Sequence, residues 1–277
     1  MSKLKETLTP FKQSERPKTI KFGHTYPHGV SRQYTADMRK YLKAITQEIK
    51  SDVLPELKAA VKERDERQDS DERMDGLADV VQRLRRLVRN IFPGERLAQE
   101  FASRTYDENE SKIAKSVEES LGVAVPLPGG DRTILDDWIV ENTSLIEDLQ
   151  EQYIKRIQNS VGNGFNKGLT YREIAKNIQR ETNISWRRAR TIARDQVGTL
   201  NGLVTKERNK ELGIEKAEWV TVGDERVRGN PSGLYPDAKP SHYARNGQEF
   251  DWDKGIDGEF PGTPILCRCF ARSKVEI

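Results

Sequence analysis

Residues 185–222 read SWRRARTIARDQVGTLNGLVTKERNKELGIEKAEWVTV, and the change of pattern along them decides the fold. Ser185 opens a predicted helix that runs to about Leu212, and Gly213 stands where a left-handed residue would end it. Trp219-Val220-Thr221-Val222 then turns to β-branched and aromatic residues, which suit a pleated, half-buried strand. The chain beyond is dense in Gly, Pro, Asp and Asn, with short strand candidates at 249–252 and 266–271. Residues 213–277 therefore predict a small, loop-rich β unit packed on helices.

Upstream, everything regular is helical. Leu135, Trp138, Ile139, Leu145, Ile146, Leu149, Ile154 and Ile157 supply one face of an amphipathic helix over about 133–160, with Gly162, Gly164 and Gly168 ending it. Thr170 and Glu173 form a capping box that opens a short helix to about Arg180. Residues 122–132 (GVAVPLPGGD with Arg132) hold Pro126, Pro128, Gly129 and Gly130 and predict a linker between domains. Before it, residues 31–121 form an N-terminal helical region. Tyr34, Met38, Leu42, Ile45 and Ile49 share a face that continues through Val53, Leu57 and Val61, with a kink at Pro55. A second stripe, from Met74 through Leu77, Val81, Leu84 and Val88 to Ile91, stops at Pro93-Gly94, and a third helix covers about 95–121. Residues 1–30, with Pro10, Pro17 and Pro27, read as an extended arm whose removal should leave the remainder folded. The fold class expected is mainly α with a small C-terminal α+β module.

Composition narrows the function classes. Of 277 residues, 33% are charged, 35% hydrophobic and 7% aromatic, which favours thin helical layers over one thick core. The net charge of +3 is too small to imply nucleic-acid binding by itself. The two cysteines, Cys267 and Cys269, lie too close for an unstrained disulfide, so a reducing cytoplasm fits best. No apolar run reaches the length of about 20 residues needed to span a bilayer, and the N-terminus lacks a signal-peptide core.

The most specific feature is an ordered series. Arg188 to Gln196 (RARTIARDQ) precedes Asn201, Gly213, Trp219, Asp224-Glu225-Arg226-Val227-Arg228, His242, Gly247 and Phe250, then Pro261-Gly262 and Cys267-Arg268-Cys269. This order, with Trp138 to Ile146 upstream, resembles the phage Mu F-like family of minor head proteins over roughly 133–277. Many relatives place the His soon after the Arg-Val-Arg, whereas here residues 229–241 intervene. The resemblance implies a head morphogenesis domain over 133–277, made of helices at 133–212 and the β-rich unit at 213–277. It also implies a virion protein of the head interior, assembled in the bacterial host cytoplasm. Its partners would be the portal and major capsid proteins, with non-specific contact to packaged double-stranded DNA. No enzymatic activity, small-molecule substrate or membrane association is implied.

The same residues have their own physical readings. In an extended segment Asp224, Arg226 and Arg228 would line one face, as a hydrogen-bonded scaffold or as a contact for phosphates or an acidic partner. Cys267 and Cys269 with His242 could hold a structural zinc ion, with Asp224 as a fourth ligand, or could be ordinary buried side chains. His242 with Asp224, Glu225 and Arg228 could serve a nuclease- or transferase-like effector, although no carboxylate cluster or phosphate loop accompanies them. Arg187, Arg188, Arg190 and Arg194 belong to a basic helical stretch that could touch DNA or a protein partner, or simply face water.

Overall fold

The computed structural model describes residues 3–11, 19–23, 25–66, 75–122, 124–127 and 129–276. Its fold is mainly α with a small antiparallel sheet. The helices are α1 (Lys3–Leu8), α2 (His28–Glu48), α3 (Leu54–Glu66), α4 (Asp75–Ile91), α5 (Gly94–Leu121), α6 (Ile134–Asn166) and α7 (Tyr171–Glu211). The strands are β1 (Thr19–Gly23), β2 (Lys216–Val220), β3 (Glu249–Asp251) and β4 (Phe270–Glu276), in the order β1-β4-β2-β3.

By compactness the chain divides into two units interleaved in sequence. One comprises residues 1–31, 99–139 and 194–277, and the other 32–98 and 140–193. The boundary expected at 122–132 lies inside the first unit. Val125 explains this, since it is buried in the same cluster as Ile113, Val117, Leu212 and Ile214. Apolar side chains on a Pro-rich stretch bind it to a core although it forms no helix.

The second unit is a helical layer. Tyr34, Met38, Leu42 and Ile45 on α2, Leu57 and Val61 on α3, and Leu84 and Val88 on α4 are buried with Ile146, Leu149, Ile154 and Ile157 of α6. These are the stripes read from the sequence; Met74 and the side chains of Leu77 and Val81 fall outside the described residues. The disturbance expected at Pro55 is a π-helical turn, Ile49–Val53, joining α2 to α3. Proline lacks the N–H and its ring crowds the carbonyl four residues back, so a wider turn absorbs both defects.

Two helix ends differ from expectation. The α6 helix runs through Gly162 and Gly164 to Asn166. A Cβ on Gly164 would sit 2.7 Å from Ile174 Cγ1, so this glycine allows a close approach, and Gly168, at φ +68°, follows the end of the helix. The two helices expected at 170–180 and 185–212 are one 41-residue helix, α7. The polar residues between them do not break it, because Thr182 bonds the Ile178 carbonyl (3.1 Å) and pairs with the Tyr153 hydroxyl (2.9 Å). The capping box forms, with the Thr170 amide donating to Glu173 Oε2 at 2.8 Å. The Thr170 hydroxyl and amide hold the Glu173 carboxyl below its usual range. Gly213, at φ +68°, ends α7 as expected: its amide bonds Lys210 O (2.9 Å) and the Ile214 amide bonds Asn209 O (2.8 Å).

The first unit holds the sheet. The expected arm contributes α1 and β1 to it. β1 pairs with β4 from Thr19↔Glu276 to Gly23↔Arg272, the Leu4 amide donates to Leu212 O, and Leu4, Leu8 and Phe22 are buried. A buried polar seam joins α5, α7 and β4. Asn109 donates to Asn201 Oδ1 (3.0 Å) and Thr205 Oγ1 (2.9 Å), and Ser273 donates to Asn209 Oδ1 (2.5 Å).

The candidate metal centre and its supporting loops

Strand β2 sets the floor of the site. Its register, Trp219↔Ala271 on β4 and Ala217↔Phe250 on β3, puts Trp219 in an aromatic and sulfur-rich core with Phe250, Trp252, Cys267, Cys269 and Ala271. The loop between β2 and β3 crosses back over this core and delivers His242, which is 2% exposed and packs edge-on to Trp219 at 5.3 Å between ring centroids. Gly247, at φ +81°, lets the chain re-enter the sheet: its amide donates to Trp219 O at 2.8 Å, and the Trp219 amide to Gln248 O at 2.8 Å.

Cys267 and Cys269 reach the same point from the other side. The strand expected at 266–271 begins only at Phe270, so both cysteines sit on the loop leading into β4. Leu266, at φ +55°, turns that loop, and its amide is held by Asp195 Oδ1 (2.5 Å) on α7. Helix α7 is notched to receive it. A Cβ on Gly202 would stand 2.9 Å from Pro261 O, and one on Gly198 3.4 Å from Cys267 O. The G-x-x-x-G spacing of Gly198 and Gly202 was the available signal for this contact, and sequence reasoning passed over it.

The outcome is a buried triangle. Cys267 Sγ and Cys269 Sγ lie 3.4 and 3.7 Å from His242 Nδ1, and all three atoms fall within 4.8 Å of one another. A hydrogen bond from Cys269, opposed by burial and reinforced by His242, holds the Cys267 thiol well below the ordinary thiol range. The same pairing, with burial, pushes Cys269 up.

Three residues that the sequence did not single out form a charged chain that reaches the imidazole through Glu259. His242 Nε2 lies 3.6 Å from Glu259 Oε2. Arg245, 3% exposed, donates to Glu259 (2.5 Å) and Asp257 (3.0 Å), and its guanidinium lies 4.9 Å from the centre of the Trp219 ring. Arg245 follows His242 by three residues, and nothing in its neighbours foretells its burial.

Asp224, Arg226 and Arg228 are not lined up as expected, because their segment is a turn. Asp224 accepts the Arg226 amide (3.0 Å) and two bonds from Arg268 (2.7 and 2.6 Å). Burial acts to raise its pKa, but Arg268 and the Arg226 amide outweigh that and hold the carboxyl below its ordinary value. Asp224 is therefore no fourth member of the His–Cys–Cys group. The Arg226 side chain is exposed, while Arg228 donates to Ile265 O at 2.6 Å. Asp224, Arg228 and His242 each have their own partners: Arg268, the Ile265 carbonyl and the two cysteines. On α7, Arg187 and Arg190 are exposed, Arg194 is half-buried, and Arg188 is bound to Asp148 and Gln152, both at 2.6 Å.

Residues 155–272 match the family described as "Phage Mu protein F like protein". An uncharacterized protein of Haemophilus influenzae is 28% identical over 180 residues, covering 63% of this chain and 38% of the relative. The NAD(+)–arginine ADP-ribosyltransferase EFV of Enterococcus faecalis is 27% identical over 135 residues, covering 43% of this chain and 26% of the relative. The chain therefore spans well under half the length of either. No solved structure matches. Residues 155–272, which carry the sheet floor, the histidine and both cysteines, are thus similar to the phage Mu F-like family.

Proposed function

We propose that the protein is a minor head protein of a tailed bacteriophage, acting in procapsid assembly against the portal or the inner capsid surface. The family match over 155–272 carries this reading, since it supports head morphogenesis and a virion-associated protein at the coarse level. Two surfaces suit the finer role. In the first unit Tyr243 and Ile265 are 45% and 69% exposed, and both are tied to Arg228, whose carbonyl accepts the Tyr243 amide. Apolar side chains held outward by a hydrogen-bonded frame suit a protein partner. In the second unit Arg32, Arg39, Lys40 and Lys43 of α2 line a shallow concavity with Trp186, over which Arg39 lies at 5.1 Å. A cationic face of this kind suits phosphate contact without sequence readout.

Co-purification of the tagged chain with portal and major capsid proteins of the same phage tests the reading. Retention on the portal at moderate salt is expected, with a loss of tenfold or more in Tyr243→Asp/Ile265→Asp. A folded chain that binds neither partner would overturn it. DNA contact predicts a gel shift at low salt that disappears at moderate salt, and no shift at low salt removes that part.

One observation favours a second reading, an effector enzyme delivered with phage DNA: one relative bears an ADP-ribosyltransferase name. The match covers 26% of that relative, and here Asp224, Arg228 and His242 serve separate structural contacts. NAD+ consumption by the purified chain would support this reading over the first.

A further inference from the structure

We propose that His242 Nδ1, Cys267 Sγ and Cys269 Sγ bind one zinc ion, which staples the loop between β2 and β3 to the start of β4.

The geometry carries the inference. Zinc takes nitrogen at about 2.05 Å and thiolate at about 2.3 Å, so tetrahedral ligands stand about 3.6 Å (N to S) apart. The observed separations, 3.4 and 3.7 Å, bracket that distance, and all three atoms fall within 4.8 Å of one another, so adjustment of the side chains brings them around one ion. The three donors come from two loops 25 and 27 residues apart, so their convergence is tertiary and not an accident of sequence neighbourhood.

The far side of the ring is arranged for the same purpose. A histidine that ligates through Nδ1 carries its proton on Nε2 and directs it to a carboxylate, which fixes the tautomer. Here Nε2 is buried with no hydrogen-bond partner and faces Glu259 Oε2 at 3.6 Å, while Arg245 anchors that carboxylate. Small rotation of the ring toward Glu259 closes this bond.

Charge balance agrees. Both sulfurs bind zinc as thiolates, and two thiolates neutralise the dication, so the buried centre carries no net charge. Among the described residues no further His, Cys, Asp or Glu joins the three, and the fourth position goes to water. The ion would cross-link a region otherwise held by the short strands β2 and β3 and by turns, where a staple contributes most.

The test uses the full chain expressed in zinc-supplemented medium and purified without chelator. Elemental analysis is expected to find about one zinc per chain, falling below roughly 0.2 in Cys267→Ser/Cys269→Ser. Cobalt(II) titration of the zinc-free wild type is expected to give the intense visible and near-ultraviolet bands of tetrahedral thiolate coordination, which keeps the test independent of whether the variant folds. Wild-type protein with under roughly 0.2 zinc and no cobalt–thiolate band would overturn the site. Full zinc content in the double variant would overturn the assignment of its ligands. Either result is read on the isolated chain and leaves the portal-binding test untouched.

Discussion

Asp224 shows how a single side chain changes meaning between the sequence and the folded chain. Its position in Asp-Glu-Arg-Val-Arg suggests pairing with the arginines that follow, yet its guanidinium partner is Arg268, 44 residues away, and Arg226 offers only its amide. Because the carboxyl is depressed in the folded chain, its contribution is present above the unfolded pKa of about 3.9 and is lost as pH falls through the lower folded value. Asp224→Asn should therefore cost about 1 kcal/mol at pH 7, allowing for the partial exposure of both partners. Its difference from wild type should shrink as pH falls below about 4. Urea denaturation of both proteins across that range measures it; a gap that persists or widens in acid would refute the assigned role. His242 and the cysteines were legible as residue types with ligand chemistry. Arg245 and Glu259 were not, because their burial depends on where the loop lands.

At the scale of elements, local signals held wherever the chain's own neighbours decide the outcome. The capping box at Thr170, the left-handed Gly213 and the apolar stripes of α2 and α6 are short-range patterns, and all are present in the described residues, as are Leu84 and Val88 of the α4 stripe. The misplaced ends have tertiary causes. Gly162 and Gly164 read as stops, but helix α6 runs past both, and Gly164 lies against Ile174, where burial outweighs a glycine penalty of about 1 kcal/mol. Helix α7 makes the same use of Gly202, whose missing Cβ admits Pro261 O. Gly202→Ala gains helix propensity but forces the cysteine loop outward. It should destabilise the protein by about 1–2 kcal/mol net, against the gain of about 1 expected at an open helix position. A thermal melt decides the sign, and stabilisation would mean that the loop does not bear on the helix.

For the molecule as a whole, the largest revision concerns residues 1–23. As a detached arm they could be removed freely. Instead they place Leu4, Leu8 and Phe22 in a core shared with Val117, Ile214 and Val275, and they extend the sheet by β1. Three buried side chains at about 1.5–3 kcal/mol each amount to most of the stability of a typical domain. Deleting residues 1–23 should therefore abolish cooperative unfolding of the first unit or lower its midpoint by more than 10 °C, followed by near-ultraviolet circular dichroism of the Trp219 environment. A truncated chain that melts like wild type would restore the arm. No helix of the described residues is long and apolar enough to cross a membrane.

By itself the sequence determined the mainly helical class, the faces the helices bury, the change to β structure after Gly213 and the family motif from Arg188 to Cys269. Each is written in spacings of a few residues or in the order of a motif, and needs no knowledge of distant partners. Tertiary structure alone decided that β1 pairs with β4, that α7 is continuous, that the Pro-rich stretch at 122–132 joins a core, and that Arg268 takes Asp224. It also decided that His242 meets both cysteines above Trp219. These depend on contacts between segments tens of residues apart or more. There the closure of loops and the burial of apolar surface choose among pairings that local patterns leave equal.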